Sequence, residues 1–366
     1  MPRWARLTMM AVASRLVALA GMVAGSYRPR PADDLHWIGH DGTFFWDQVP
    51  IRVLDVWGRW DTMFYWHIAR FGYPPANGGW VYHAAYWPLF PSMMRGLSVL
   101  TGLETYLCGV LLAFTLYGLA IHYFDRLLRL SETPEFAERV LLVMLAYPGT
   151  HFLTCVYPES TTLFLAIFAI YAARTNRPVL AGLACFTVAL ARSTGIFVCV
   201  PVLLELSRTP EGGWRFTPRA LVVLFPAVSL AFWLGLNQQL YGDPIYFAHV
   251  QAAWGRHPTF FLEPFFSSDL SLDHHLFALG ALVLTGYAVR KRERLSFISL
   301  STLNALLPLS TGMLRGVHRY MGTNFPLFIF LTRWLDTRRK LTFWVVVGGC
   351  VLFGFAFKWG QGYQPN

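Results

Sequence analysis

A small set of side chains in this chain has the types and placement to do chemistry. Asp61 sits in "WGRWDTMFYWHIARFGYPP" (57–75), Glu159 in "TCVYPESTTLFL", Arg192 in "ALARSTG", and Arg315 and Arg319 in "MLRGVHRYMG". A carboxylate held near hydrocarbon can take a proton from a hydroxyl. Arginine forks bind phosphate through paired hydrogen bonds. Each residue also has a plainer reading. Asp61 could pair with Arg59 or another arginine. Glu159 follows Pro158 and could simply complement a helix dipole. The arginines could snorkel to lipid headgroups.

The elements that must carry these residues are apolar helices. The chain has 366 residues, 55% hydrophobic, 16% aromatic and 14% charged, against roughly a quarter charged in soluble domains. Apolar runs recur from end to end, so the expected class is an all-α polytopic membrane protein. About eleven spans are expected, at 7–26, 104–124, 139–156, 160–173, 178–192, 194–206, 219–240, 275–289, 295–312, 320–335 and 341–358. Residues 178–206 fit either two short helices or one long tilted helix. The basic start "MPRWARLTMMAVASRLVALAGMVAG" could be a cleaved signal peptide. Arg15 interrupts its apolar run, so an uncleaved first span is expected.

Net charge is +10, which by itself would admit nucleic acid as a partner. With the N-terminus in the cytoplasm, clusters such as "RKRER" (290–294) and "RWLDTRRK" (333–340) fall in short cytoplasmic loops. That is the positive-inside pattern, so no nucleic acid is needed to explain the charge. The same topology leaves two long outer segments, 27–103 and 241–274. They hold acids including Asp33, Asp34, Asp41, Asp47, Asp55, Asp61, Asp243, Glu263, Asp269 and Asp273. The whole chain, 1–366, reads as one transmembrane domain.

Taking 57–75 as one helix places Trp57, Trp60, Phe64, Ile68 and Phe71 on a single apolar stripe. Asp61 falls on the apolar edge of that stripe and Asp55 on the far, polar side. Gly72 and Pro74 form a stop signal. The helix is expected to lie in the membrane interface. "YHAAYWPLFPSMMRGL" follows, with Tyr82, His83, Tyr86 and Trp87 suited to an aromatic belt. The five cysteines form no CxxC pair and read as buried small hydrophobes. His36, His40 and Asp41 in "HWIGHD" could in principle hold a metal, in an irregular loop. No DxD, HExxH, GxGxxG, Walker or GxSxG pattern occurs, which argues against a nucleotide-dependent enzyme of familiar type.

Six blocks in order resemble one family. "RWDTMFYWHIARFGYP" (59–74), "YWPLFP" (86–91), "YPES" (157–160), "ALARSTG" (189–195), "YGDPIYFAHVQAAWGR" (241–256) and "LRGVHRYMGTNFPLF" (314–328) are similar to the blocks of PIG-V-like mannosyltransferases, membrane glycosyltransferases of the GT-C class. Ser193 stands where that pattern has proline. The resemblance implies a GT-C-like fold in a plasma membrane, or in the endoplasmic reticulum of a eukaryote. It implies a polyprenyl-phosphate-sugar donor, with mannose the expected sugar. The acceptor would be a glycan, glycolipid or protein. Asp61 would be the catalytic base. Arg192, Arg256, Arg315 and Arg319 would bind the donor phosphate, and Trp60, His83, Glu159, Asp243 and Gln251 the sugar or acceptor. No cofactor or metal is implied. A multi-pass transporter or flippase is the competing class, although self-similar halves are not visible. A non-catalytic subunit of a glycosylation complex is a third.

Overall fold

The computed structural model describes residues 2–27, 51–76, 81–209, 213–266 and 272–363. His36, His40, Asp41 and Asp269 therefore lie outside the described residues, as does most of the first outer segment before residue 51. Among the described residues the regular structure is helix, joined by turns and irregular loops, apart from one isolated bridge between Arg208 and Trp214. In chain order the helices are α1 (Arg3–Ser26), α2 (Arg52–Asp55), α3 (Thr62–Phe71), α4 (Leu89–Thr101), α5 (Thr105–Leu128), α6 (Pro134–Leu145), α7 (Glu159–Arg174) and α8 (Pro178–Ala191). They continue with α9 (Cys199–Leu206), α10 (Phe225–Tyr241), α11 (Tyr246–His249), α12 (Leu272–Arg290), α13 (Leu295–Leu309), α14 (Val317–Thr323), α15 (Pro326–Trp334) and α16 (Arg338–Gly360).

Each of the eleven expected windows contains helix. Five helical stretches are long and apolar enough to cross a membrane: Arg3–Ser26, Thr105–Leu128, Pro218–Tyr241, Leu272–Arg290 and Arg338–Gly360. Others are shorter, among them Pro178–Ala191, Ser193–Leu206 and Leu295–Leu309. At 1.5 Å per residue these fall short of a full hydrocarbon crossing on their own.

Residues 178–206 are two pieces. α8 ends at Ala191, Arg192 is extended (φ −165°, ψ 151°), and a 3-10 turn over Ser193–Val198 leads into α9. The turn folds back on α8 so closely that a Cβ on Gly195 would lie 2.0 Å from the Val188 carbonyl oxygen. Only glycine fits there, and the resulting corner presents Arg192 at the end of the bundle.

α1 and α16 pack against each other with comparable intimacy. A Cβ on Gly25 would meet the Phe357 carbonyl oxygen at 2.0 Å, and one on Gly360 the Met22 carbonyl oxygen at 2.0 Å. Small residues let membrane helices approach this far. Arg15, the charge that interrupts the first apolar run, is buried against protein. It donates to the Thr150 carbonyl (2.6 Å) and Thr154 Oγ1 (3.0 Å), and its guanidinium lies 4.8 Å from the centre of the Tyr117 ring.

The segment 57–75 departs from the single helix expected of it. α3 begins only at Thr62, because Trp60 takes a left-handed conformation (φ 52°). That geometry costs a non-glycine residue about 1–3 kcal/mol. The buried face of α3 is Thr62, Tyr65, Ile68 and Ala69, so the stripe expected from Trp57 through Phe71 is not its packing face. Phe71 is 63% exposed. Asp55, expected on a polar side, is fully buried and pairs with Arg59 at 3.0 Å. The expected stop holds: Gly72 closes α3 with φ 85°.

Candidate functional site

Asp61 is fixed from three directions. Its backbone N–H donates to Tyr157 Oη (3.0 Å), and Tyr157 in turn donates to the Arg59 carbonyl (3.1 Å). Tyr86 Oη donates to Asp61 Oδ1 (3.0 Å), and Arg319 Nη1 donates to Asp61 Oδ2 (2.7 Å). Burial, with the Asp61 charge adding to it, pushes both the Tyr86 and Tyr157 phenols well above their usual range, so both remain protonated donors. With Arg59 taken by Asp55, the partner of Asp61 is an arginine 258 residues away.

Behind Asp61 lies Glu159, 1% exposed, at the first position of α7 with Pro158 as its cap. Glu159 Oε1 accepts from Arg192 Nη1 (2.6 Å), and Arg319 Nε lies 3.3 Å from the same oxygen. The Arg192 and Arg319 guanidinium carbons sit 4.4 and 5.3 Å from the centre of the Tyr320 ring. Two carboxylates and two arginines thus share one chain of contacts.

In front of them opens a cavity of about 520 Å³. Its walls include Trp60, Asp61, Tyr86, Arg192, Gln251, Trp254, Arg256, Thr311, Arg315, Arg319, Tyr320 and Trp359. Arg256 donates to Thr311 Oγ1 (3.0 Å) and to Tyr320 Oη (3.0 Å). Among the described residues neither Arg256 nor Arg315 has a carboxylate partner, and Arg315 Nε is buried without a hydrogen-bond partner. Four arginines face two carboxylates, so the cavity carries a surplus of two positive charges. Apolar walls with a few convergent charged groups are the usual form of a ligand site. The surplus favours an anion such as a phosphate.

Trp60 Nε1 also lies buried beside this cavity without a partner. Of the residues expected here, Trp60, Asp61, Arg192, Gln251, Arg256, Arg315 and Arg319 line the cavity. Glu159 lies behind its wall. His83 packs against Phe64 and His67, with ring centres at 5.2 and 4.5 Å, outside the lining. Burial, and then His67, lower its pKa to about 4. Asp243 is spent on its own loop, accepting from the Ile245 N–H (3.0 Å) and contacting His249 Nδ1 (2.6 Å). Tyr86, Tyr157, Thr311 and Tyr320 were not singled out in sequence as site residues. Tyr86 and Tyr157 open the blocks "YWPLFP" and "YPES", and Tyr320 directly follows Arg319, so position within the blocks was the available signal.

The architecture resembles solved structures of known type. The Archaeoglobus fulgidus oligosaccharyltransferase in its apo form superposes with a TM-score of 0.50 at 11% identity, covering 98% of this chain and 56% of that one. The same archaeal enzyme in complex with Zn and sulfate gives a TM-score of 0.49 at 10% identity, covering 98% and 53%. This chain spans about half the length of that enzyme, and the likeness is one of fold. The fold is therefore of the GT-C type. A likeness to one family comes from sequence: residues 29–205, just under half of the chain, match the family model described as Mannosyltransferase (PIG-V), the family that the six blocks resemble. No curated protein matches the sequence.

Proposed function

We propose that this protein is a membrane mannosyltransferase that moves a sugar from a polyprenyl-phosphate donor to an acceptor hydroxyl on the extracytoplasmic face. The observation that carries the reading is the placement of Asp61. It is one carboxylate lining a cavity that also holds two arginines, Arg256 and Arg315, without carboxylate partners among the described residues. The family match over residues 29–205 supports the sugar chemistry.

In a single inverting displacement the acceptor oxygen attacks C1 of the sugar as Asp61 takes its proton. The C1–O bond to phosphate breaks, and the phosphate keeps the electron pair. A phosphate leaving group needs no general acid. Arg256 and Arg315, with Tyr320 and Thr311 holding Arg256, meet the charge that develops on it. Arg319 spans the two halves of the reaction, since it contacts Asp61 and also lines the cavity. The aromatic walls formed by Trp60, Trp254 and Trp359 suit the apolar face of a sugar ring and the start of a lipid chain.

The test is Asp61→Asn, which keeps the shape and removes the charge. Transfer of labelled mannose from polyprenyl-phosphate-mannose should fall by about 10³-fold, within the range of general-base effects. Transfer at the wild-type rate would remove Asp61 as the base. Passage of the labelled donor across vesicles with no glycosidic bond formed would replace the transferase reading with a transporter.

A further inference from the structure

Glu159 is more deeply buried than either arginine it contacts, Arg192 or Arg319, and it does not line the cavity. At 1% exposed it lies behind the cavity wall, with Arg192 and Arg319 between it and the open space. Its Oε1 is shared, at 2.6 Å from Arg192 and 3.3 Å from Arg319. Its Oε2 is buried without a hydrogen-bond partner among the described residues. A carboxylate in that position acts through its two arginines.

Those arginines come from distant places. Arg192 is thrown inward by the corner between α8 and α9, and Arg319 comes from α14. Both lie over the Tyr320 ring and are mostly buried, with side chains 12% and 17% exposed. Two guanidiniums converging on one oxygen in a low-dielectric setting repel strongly unless a negative charge stands between them. With Glu159 in place the group of Asp61, Glu159, Arg192 and Arg319 is neutral. The surplus charge is then carried by Arg315 and by Arg256, which reaches the far end of the same Tyr320 ring through its hydroxyl (3.0 Å). Without Glu159, four arginines would face a single carboxylate.

We propose that Glu159 is a positioning residue. It clamps Arg192 and Arg319 at a fixed separation beside Asp61, and it tempers their charge so that the departing phosphate is bound by Arg256 and Arg315 and still released. This rests on the transfer reading above. That placement predicts opposite movements of two quantities. Loss of the Glu159 charge frees two arginines to grip phosphate, which tightens product binding. It also lets Arg319 shift from its place at Asp61, which slows the chemical step. A residue needed only for folding would lower the active fraction and leave the affinity of the remainder unchanged.

The experiment uses the full chain in detergent, with farnesyl phosphate as the product probe and polyprenyl-phosphate-mannose as the donor. Glu159→Gln should lower kcat about 100-fold and tighten farnesyl phosphate binding about tenfold. The double variant Glu159→Gln with Arg192→Gln restores the charge balance. It should return probe affinity to within about twofold of wild type and recover at least about tenfold in kcat, a non-additive result. Unchanged probe affinity in Glu159→Gln would overturn the proposal, whether or not kcat falls. A double variant no better than the single would overturn it as well. Should the single variant fail to fold, the charge-balanced double still decides: a folded double with wild-type affinity supports the clamp, and a second unfolded protein overturns it in favour of a packing role. A wild-type protein that binds farnesyl phosphate but transfers no sugar would instead remove the transferase reading, and the affinity measurements would still test Glu159.

Discussion

The two ends of the bundle both gather arginines, and they handle them in opposite ways. At the end away from Asp61 lies the larger cavity, about 900 Å³, lined by Arg139, Arg208, Lys291, Arg292, Arg294 and Arg333 among others. There Arg294 and Arg333 are matched with carboxylates across helix ends, while Arg139 donates to the Leu335 carbonyl (2.7 Å). Arg294 lies on Glu205 through both Nε and Nη2 (2.5 Å each), and Arg333 bridges Glu132 (2.6 Å) and Glu293 (2.5 Å). Lys291 and Arg292 are exposed to solvent. At the Asp61 end the cavity is smaller, two arginines share one carboxylate oxygen, and two more have no carboxylate at all. Size therefore does not mark the site. What sets the Asp61 end apart is two arginines without carboxylates, Arg256 and Arg315, lining one cavity beside a carboxylate that also lines it.

The contrast can be broken most directly at Arg256 and Arg315. Changing both to Gln should cut transfer by roughly 10³-fold, the scale seen when donors to a developing oxyanion are lost. Thermal stability should change little, since neither arginine is satisfied by a carboxylate. A double variant with near-normal transfer would erase the distinction between the ends.

Next in size is Glu205→Ala at the opposite end. Arg294 is about a quarter exposed and can turn toward water, so the loss should be roughly 2 kcal/mol, below the 3–5 kcal/mol for a fully buried pair. It should appear as a lower melting temperature in detergent, with kcat per folded molecule unchanged. A drop in kcat with normal stability would show that the ends are coupled.

The smallest effect concerns His83. Its folded pKa is lowered to about 4, below the unfolded value near 6.5, so the unfolded chain binds the extra proton first. Stability should therefore fall as pH drops from about 6.5 toward 4. His67, also lowered by burial, adds in the same direction. His83→Gln should flatten that slope by a few degrees of melting temperature. An unchanged slope would place the acid sensitivity elsewhere.

Much of this was legible in the sequence, for local reasons. Helix occupies every expected apolar window because apolar run length is a property of consecutive residues. The stop at Gly72 and the helix start at Glu159 follow from single-residue preferences. "ALARSTG" marked a junction because serine and glycine disrupt the apolar run there, although only the structure decided in favour of two helices. The failures are all non-local. Periodicity carried α3 through Trp60, since nothing in the pattern shows that Gly58 must pack against Tyr106, where a Cβ would lie 2.3 Å from the ring. The choice between Arg59 and a remote arginine for Asp61 depended on Asp55 being buried, which spacing had placed on a polar face. The sharing of Glu159 by Arg192 and Arg319 joins residues 33 and 160 positions away and leaves no local trace.

The clasp between α1 and α16 bears on the order in which this molecule can be built. Trp359 Nε1 donates to the Val56 carbonyl (2.9 Å), between the two members of the buried Asp55–Arg59 pair that supports the turn to Asp61, and Trp359 also lines the cavity. On the ribosome, α1 is made more than 300 residues before α16, so it must wait in the membrane while the helices between them are made. The cavity wall that Trp359 supplies is then finished only when α16 arrives. Until that arrival the shelf carrying Asp61 has no floor, and a chain cut short before residue 338 would hold every charged residue of the site without the surface that keeps them in place.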